Sequence, residues 1–89
     1  MRAVITVVGK DAVGIIADVS AVLKKRSANI VDISQSVMQD LFAMIMLVDI
    51  TKCNVPFVTL ADEFEAAGTA MGLKIHTMHE DVFNAMHRI

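Results

Sequence analysis

Val4-Ile5-Thr6-Val7-Val8-Gly9-Lys10-Asp11-Ala12-Val13-Gly14-Ile15-Ile16 decides how this chain is read. Val4 to Val8 is β-branched at every position, which suits a pleated strand and not a helix. Gly9 lets the chain turn where a side chain would obstruct it. Asp11 is the N-cap candidate of a helix starting near Ala12, whose first backbone N–H groups point out of the loop. Those amides and the helix dipole make the strand-to-helix junction a natural seat for a small anion such as a carboxylate.

Outward from that stretch, the apolar spacing of Val13, Ile16, Val19, Ala21, Val22 and Leu23 carries a helix over 12–26. It stops around Ser27-Ala28-Asn29, with Asn29 as the residue most tolerant of a left-handed turn. Residues 30–38 read as a strand whose polar residues lie on both faces, as at an edge. After a Gln39-Asp40 turn, Phe42 to Ile50 is apolar on both faces, the pattern of a doubly buried strand. Asn54-Val55-Pro56 opens a second helix with the stripe Phe57, Leu60, Ala61, Phe64, Ala67, Gly68 and Met71, and Gly72 ends it. Leu73 to Met78 is a fourth strand. Glu80 to Ile89 reads as a short third helix, too short to hold without docking on the body or on a partner.

The order β-α-β-β-α-β plus a tail helix is the ferredoxin-like plan, an α+β sandwich: a four-stranded antiparallel sheet with both main helices on one face. One domain over 1–89 accounts for the whole length. The plan leaves the other sheet face bare, and 55% of the residues are hydrophobic. A second copy of the chain is the simplest cover, so a homodimer is expected.

Composition excludes several classes. A net charge of −2 and one basic run, Lys24-Lys25-Arg26, do not make a nucleic-acid surface; the run sits where it complements a helix C-terminus. The apolar run Leu41 to Val48 falls far short of the about 20 residues a membrane helix needs. Met1-Arg2 leads straight into a strand with no signal-like segment, and a lone Cys53 forms no internal disulfide, so a cytoplasmic setting is expected.

The stretch 4–16, followed by Val19, Leu23 and Asn29-Ile30-Val31-Asp32-Ile33, resembles the signature of ACT domains, small regulatory modules of β-α-β-β-α-β architecture. The likeness covers essentially the whole chain. It is greatest to the free-standing single-ACT proteins of the UPF0237 family, including their ending, here Phe83-Asn84-Ala85-Met86. A related branch is the ACT portion of glycine-cleavage-system repressor proteins. The resemblance implies a non-catalytic regulator binding an amino acid or related small molecule between paired domains. Its contacts carry over to Asp11, Ala12, Val13, Gly14 and Ile15 in the loop, and to Asn29 and Ile30 at the start of the second strand. Val13 stands where the family often has Pro, Ser27 where it often has Gly, and Asp11 where some amino-acid-binding members have Asn. The signal would pass to an unknown protein partner acting in trans, with no cofactor.

Two other functions stay open beside this one. The first is a ligand-free assembly module that docks a partner through the bare sheet face or the tail helix. The second is a metal-binding regulator using His76, His79 and His87, although His76 and His79 project to opposite faces of a strand and a second chain would have to complete the ligands. Cys53 has no histidine beside it and reads as a spectator thiol. Asp32, Asp49, Asp62, Glu63 and Glu65 read as strand ends and a solvated helix face, not as paired catalytic acids.

Overall fold

The computed structural model describes residues 1–10 and 14–86. β1 (Arg2–Gly9) is followed by α1 (Ile15–Lys25), β2 (Asn29–Met38), β3 (Leu41–Asp49), α2 (Phe57–Met71), β4 (Lys74–His79) and α3 (Glu80–Met86). The strands form one antiparallel sheet in the order β2-β3-β1-β4, the expected ferredoxin-like plan.

Period-two alternation in β1 sends Ala3, Ile5 and Val7 to one face, each completely buried. Register places Val48, Met46 and Met44 of β3 directly opposite them. Onto this stripe pack Ile15, Val19 and Leu23 of α1 and Leu60 and Phe64 of α2, all in one core cluster. Each such side chain contributes about 1.5–3 kcal/mol on burial. On α1 the buried spacing is i, i+4, i+8 from Ile15; Ile16 and Ala21, expected on the inner side, are exposed.

The helix ends differ from expectation in instructive ways. The N-cap of α1 is Gly14, at φ 80°, with no side-chain cap bond, so the helix starts three residues later than Ala12; Asp11, the expected cap, lies outside the described residues. At the other end the left-handed residue is Ser27 (φ 60°), not Asn29. Ser27 N–H donates to the Lys24 carbonyl (3.2 Å) and Ala28 N–H to the Leu23 carbonyl (2.9 Å), the paired bonds of a Schellman motif. Asn29 is thereby released to begin β2. Asn54 does not cap α2, whose N-cap is Pro56; its side chain donates to the Lys25 carbonyl (3.0 Å) and ties the two connections together. Gly72 ends α2 as expected, at φ 73°.

β3 buries only one face within the chain. Phe42, Met44, Met46 and Val48 are enclosed, while Ile45 opposite them is 44% exposed. β2 is an edge strand, exposed from Val31 onward, with an irregularity at Val31 where Ile30 pairs with Val48 and Asp32 with Leu47. α3 packs against β1 and β4, and Arg2 holds Glu80 through Nη2–Oε2 (2.7 Å) and Nε–Oε1 (3.1 Å).

Gly68 sits where α2 crosses β4. An added Cβ would lie 2.9 Å from Ile75 Cγ1 and 3.1 Å from the Leu73 carbonyl oxygen, a backbone atom that cannot step aside. Gly68→Ala is therefore expected to lose about 1–2 kcal/mol despite alanine's better helix propensity, read as a melting temperature several degrees lower.

The two helices are joined by Arg26 and Glu63, a two-point pair at 2.7 and 2.9 Å. The Arg26 hydrogen bonds hold the Glu63 carboxyl below its ordinary value. A carboxyl depressed in the folded state stabilises above its unfolded pKa and stops doing so as pH falls through the folded one. Glu63→Gln should thus melt below the parent at neutral pH, and the gap should close as pH drops below about 4 in a series of thermal melts.

Candidate functional site

The resemblance to ACT domains points to two segments, and the structure places the described part of the first, Gly14 and Ile15, at the opposite end of the sheet from the second. Gly9, where the loop leaves β1, pairs with Phe42; Asn29 pairs with Asp49. Those partners are about 24 Å apart along β3, and the eleven residues of α1 span about 16 Å between the two segments. Within one chain, Gly14 and Ile15 do not meet Asn29 and Ile30. Asp11, Ala12 and Val13 lie outside the described residues.

At the loop end, Gly14 is exposed and its carbonyl accepts from Asp18 N–H (3.0 Å), closing the first turn of α1. No side chain among the described residues caps this terminus, and a helix start of this kind suits an anion. Ile15 has only its backbone to offer, because its side chain is core.

At the strand end, Asn29 lines a polar pocket of about 370 Å³ together with Ser27, Asp49, Thr51 and Lys52. Ile30 lies half-buried against the core. Thr51 is the organiser of this pocket. Its backbone N–H donates to Asp49 Oδ1 (2.9 Å), and its hydroxyl accepts from the N-terminal ammonium of Met1 (2.8 Å). Hydrogen bonding from Thr51, by side chain and then by backbone, keeps the Asp49 carboxyl below its ordinary value, aided by the N-terminal ammonium and Arg2. The pocket thus brings a carboxylate, the Lys52 ammonium, hydroxyls and a carboxamide to one place, a set suited to a small polar or zwitterionic molecule.

Asp49, Thr51 and Lys52 were not candidates from the sequence, where Asp49 read as a solvated strand end. The available signal was Asp-x-Thr after a strand, the pattern of a side chain that folds back on the amide two residues on.

The two described histidines, His76 and His79, are not gathered. His76 pairs with Thr6 on the face away from the long helices and is exposed. His79 pairs with Ala3 on the helix-covered face and stacks on Phe57, ring centroids 3.9 Å apart at 23°. Among the described residues no three His, Cys, Asp or Glu side chains are placed to hold a metal ion; His87 lies outside them. Cys53 is half-buried and packs on the core. No helix among the described residues is long and apolar enough to cross a membrane.

Comparison with known proteins agrees with the fold. The family model that matches residues 2–78 is that of the ACT domain. A UPF0237 protein of Methanocaldococcus jannaschii is 52% identical, over 99% of this chain and 98% of its own length. Among solved structures, an ACT domain protein from Streptococcus pneumoniae superposes with a TM-score of 0.82 at 41% identity, covering 98% of both chains. A putative glycine cleavage system transcriptional repressor shares the fold at 23% identity and a TM-score of 0.68, over 85% of this chain and 43% of its own.

Proposed function

The chain belongs to the ACT domain family and, within it, to the UPF0237 proteins, and on that membership we propose that it is a non-catalytic regulatory module in which a homodimer binds a small ligand, an amino acid or related metabolite, and acts in trans on a partner protein. The observation that carries this reading is the separation of the two ligand segments by the length of α1. A site needing both is incomplete in one chain.

Two copies supply the missing half. β2 is at one edge of the sheet and α1 packs on that side. A two-fold axis beside this edge lays two β2–α1 units antiparallel. The α1 N-terminus of one protomer, at Gly14 and Ile15, then stands beside Asn29 and Ile30 of its partner. The edge suits such a contact: its ten residues hold one charge, Asp32, and Val31, Ile33, Val37 and Met38 are exposed. Ligand carboxylate would meet the α1 amides of one copy, and ligand ammonium the Asn29–Asp49 pocket of the other. This moves the shared seam from the bare sheet face, where the sequence put it, to the β2 edge. A ligand filling both halves favours one arrangement of the pair, which a partner can read. The single cysteine accords with a cytoplasmic setting.

Sedimentation should find a dimer at low micromolar concentration, and a thermal-shift screen of the amino acids should give at least one stabiliser. Asn29→Ala and Gly14→Val should each abolish that shift. Mixed in equal amounts, the two variants should regain about a quarter of the wild-type sites by calorimetry, because half the pairs are mixed and each holds one intact site. A monomer, or no recovery on mixing, defeats the shared site. A chelator-reversible shift with a divalent metal would instead favour the histidines, and no shift at all the assembly module.

A further inference from the structure

The strand-end pocket carries one charge more than the shared site uses. Its two charged residues, Asp49 and Lys52, line the same cavity yet form no ion pair with each other. The turn after β3 explains why. Cys53 N–H donates to the Ile50 carbonyl (3.1 Å), so Thr51 and Lys52 are the central residues of a β-turn. Asp49 Oδ1 is committed to Thr51 N–H (2.9 Å). Asn54 staples the turn to the end of α1, its N–H donating to the Arg26 carbonyl and its side chain to the Lys25 carbonyl, both at 3.0 Å. Lys52 is thus held in one pocket with Ser27, and it pairs with no carboxylate among the described residues. Neighbouring charges do not change this balance. Arg2, opposite Asp49 in β1, is closed on Glu80. Asp32 of β2 accepts from Ile33 N–H (2.9 Å), and Lys24 and Lys25, in the last turn of α1, have the sign of Lys52.

We propose that the ligand is an acidic amino acid, and that Lys52 receives its side-chain carboxylate. The inference rests on the shared-site reading and deepens it by naming the ligand class. Asn29 and Asp49 are direct cross-strand partners, so their side chains share a face and together seat an ammonium. The α-carboxylate goes to the α1 N-terminus of the other copy. Lys52 then remains as a second anion seat beside the first group, and only a ligand with one ammonium and two carboxylates fills all three. A neutral side chain leaves the Lys52 seat unused, and a basic one sets like charges together. A carboxylate on Lys52 makes a charge-assisted hydrogen bond, roughly twice as strong as a neutral one. Sites built on such polar contacts reject an analogue that lacks the matching group far more sharply than apolar pockets do. Across the seam, the described charges nearest the α1 N-terminus in sequence, Lys10 and Asp18, are of opposite sign, so the choice of side chain falls to Lys52.

Calorimetric titration of the intact protein tests this with L-glutamate and L-aspartate, their amides L-glutamine and L-asparagine, and L-lysine. One of the two acids should bind about tenfold or more tighter than its amide, and L-lysine should not bind. Lys52→Met keeps an exposed side chain of similar length and removes its charge; it should bring acid and amide to within about twofold of each other. Lys52→Glu should reverse the order and make L-lysine the tightest of the set. Acid and amide bound alike by the wild type, or an acid preference that survives Lys52→Met, overturns the proposal. If such binding still needs both Gly14 and Asn29, the shared site stands. Binding that Lys52→Met weakens but Gly14→Val leaves untouched defeats the shared site, and with it the count of seats used here. If none of these ligands binds, the proposal falls, and the shared site falls with it only where the wider amino-acid screen is also empty.

Discussion

Every other feature of this molecule depends on the one-sided burial of its sheet. Ala3, Ile5 and Val7, with Met44, Met46 and Val48 beside them, accept both long helices on the same face. Phe64 and Leu60, fully enclosed, anchor α2 on this stripe, and Val19 and Leu23 do the same for α1. Because both helices go to one side, the chain is left with a half-open second face and two sheet edges of unlike character. β2 is long, nearly uncharged and exposed, whereas β4 is six residues long and lies in the lee of α2. An edge strand is a liability unless it is shortened, charged or covered. Here the long edge, with Asp32 as its one charge, is the less protected of the two, which is why the proposed contact between copies is set there.

The same constraint explains the divided ligand segments. A crossover helix must return the chain to the end of the sheet from which β1 started, so the residues before and after it are held apart by its length. Gly14 and Asn29 bracket α1 and are adjacent in the argument from resemblance, yet the helix sets them at opposite ends. Periodicity alone already contains this fact, since a helix of that length joining two strands that run the same way, one on each side of β3, cannot do otherwise.

Much of the fold was legible because its strongest signals are unambiguous. The β-branched run 4–8, the stripe from Phe57 to Met71 and the stop at Gly72 each say one thing only. The helix ends of α1 were harder. Asp11 and Gly14 both suit an N-cap, and Ser27 and Asn29 both suit the left-handed residue after a helix. Local preference ranks Asn29 above Ser27, but the Schellman bonds and the Asn54 tie to Lys25 need the turn two residues earlier. Tertiary demand overrode a small intrinsic difference. β3 misled in another way: residues apolar on both faces were read as doubly buried, and only the helix-facing set is enclosed within one chain. The Asp49 pocket was unreadable for a simpler reason. Its members come from the end of one strand, the start of another and a turn, and only the pairing of Asn29 with Asp49 brings them together.

The strand-end pocket is linked to α2 by a short path. The strand-end pocket begins at Ser27, one residue beyond Arg26, whose guanidinium grips Glu63 at two points. Glu63 and Glu65 are neighbours on α2, and Glu65 stands on the wall of a groove between α2 and β4. Planar two-point pairing constrains direction as well as distance, so a tilt at the C-terminus of α1 strains that pair or draws α2 with it. Spatial continuity is not coupling by itself. What it supplies is a mechanical reason why a ligand that changes the relation of two α1 helices across a seam would be felt on the far edge, where α2 and β4 hold the groove between them.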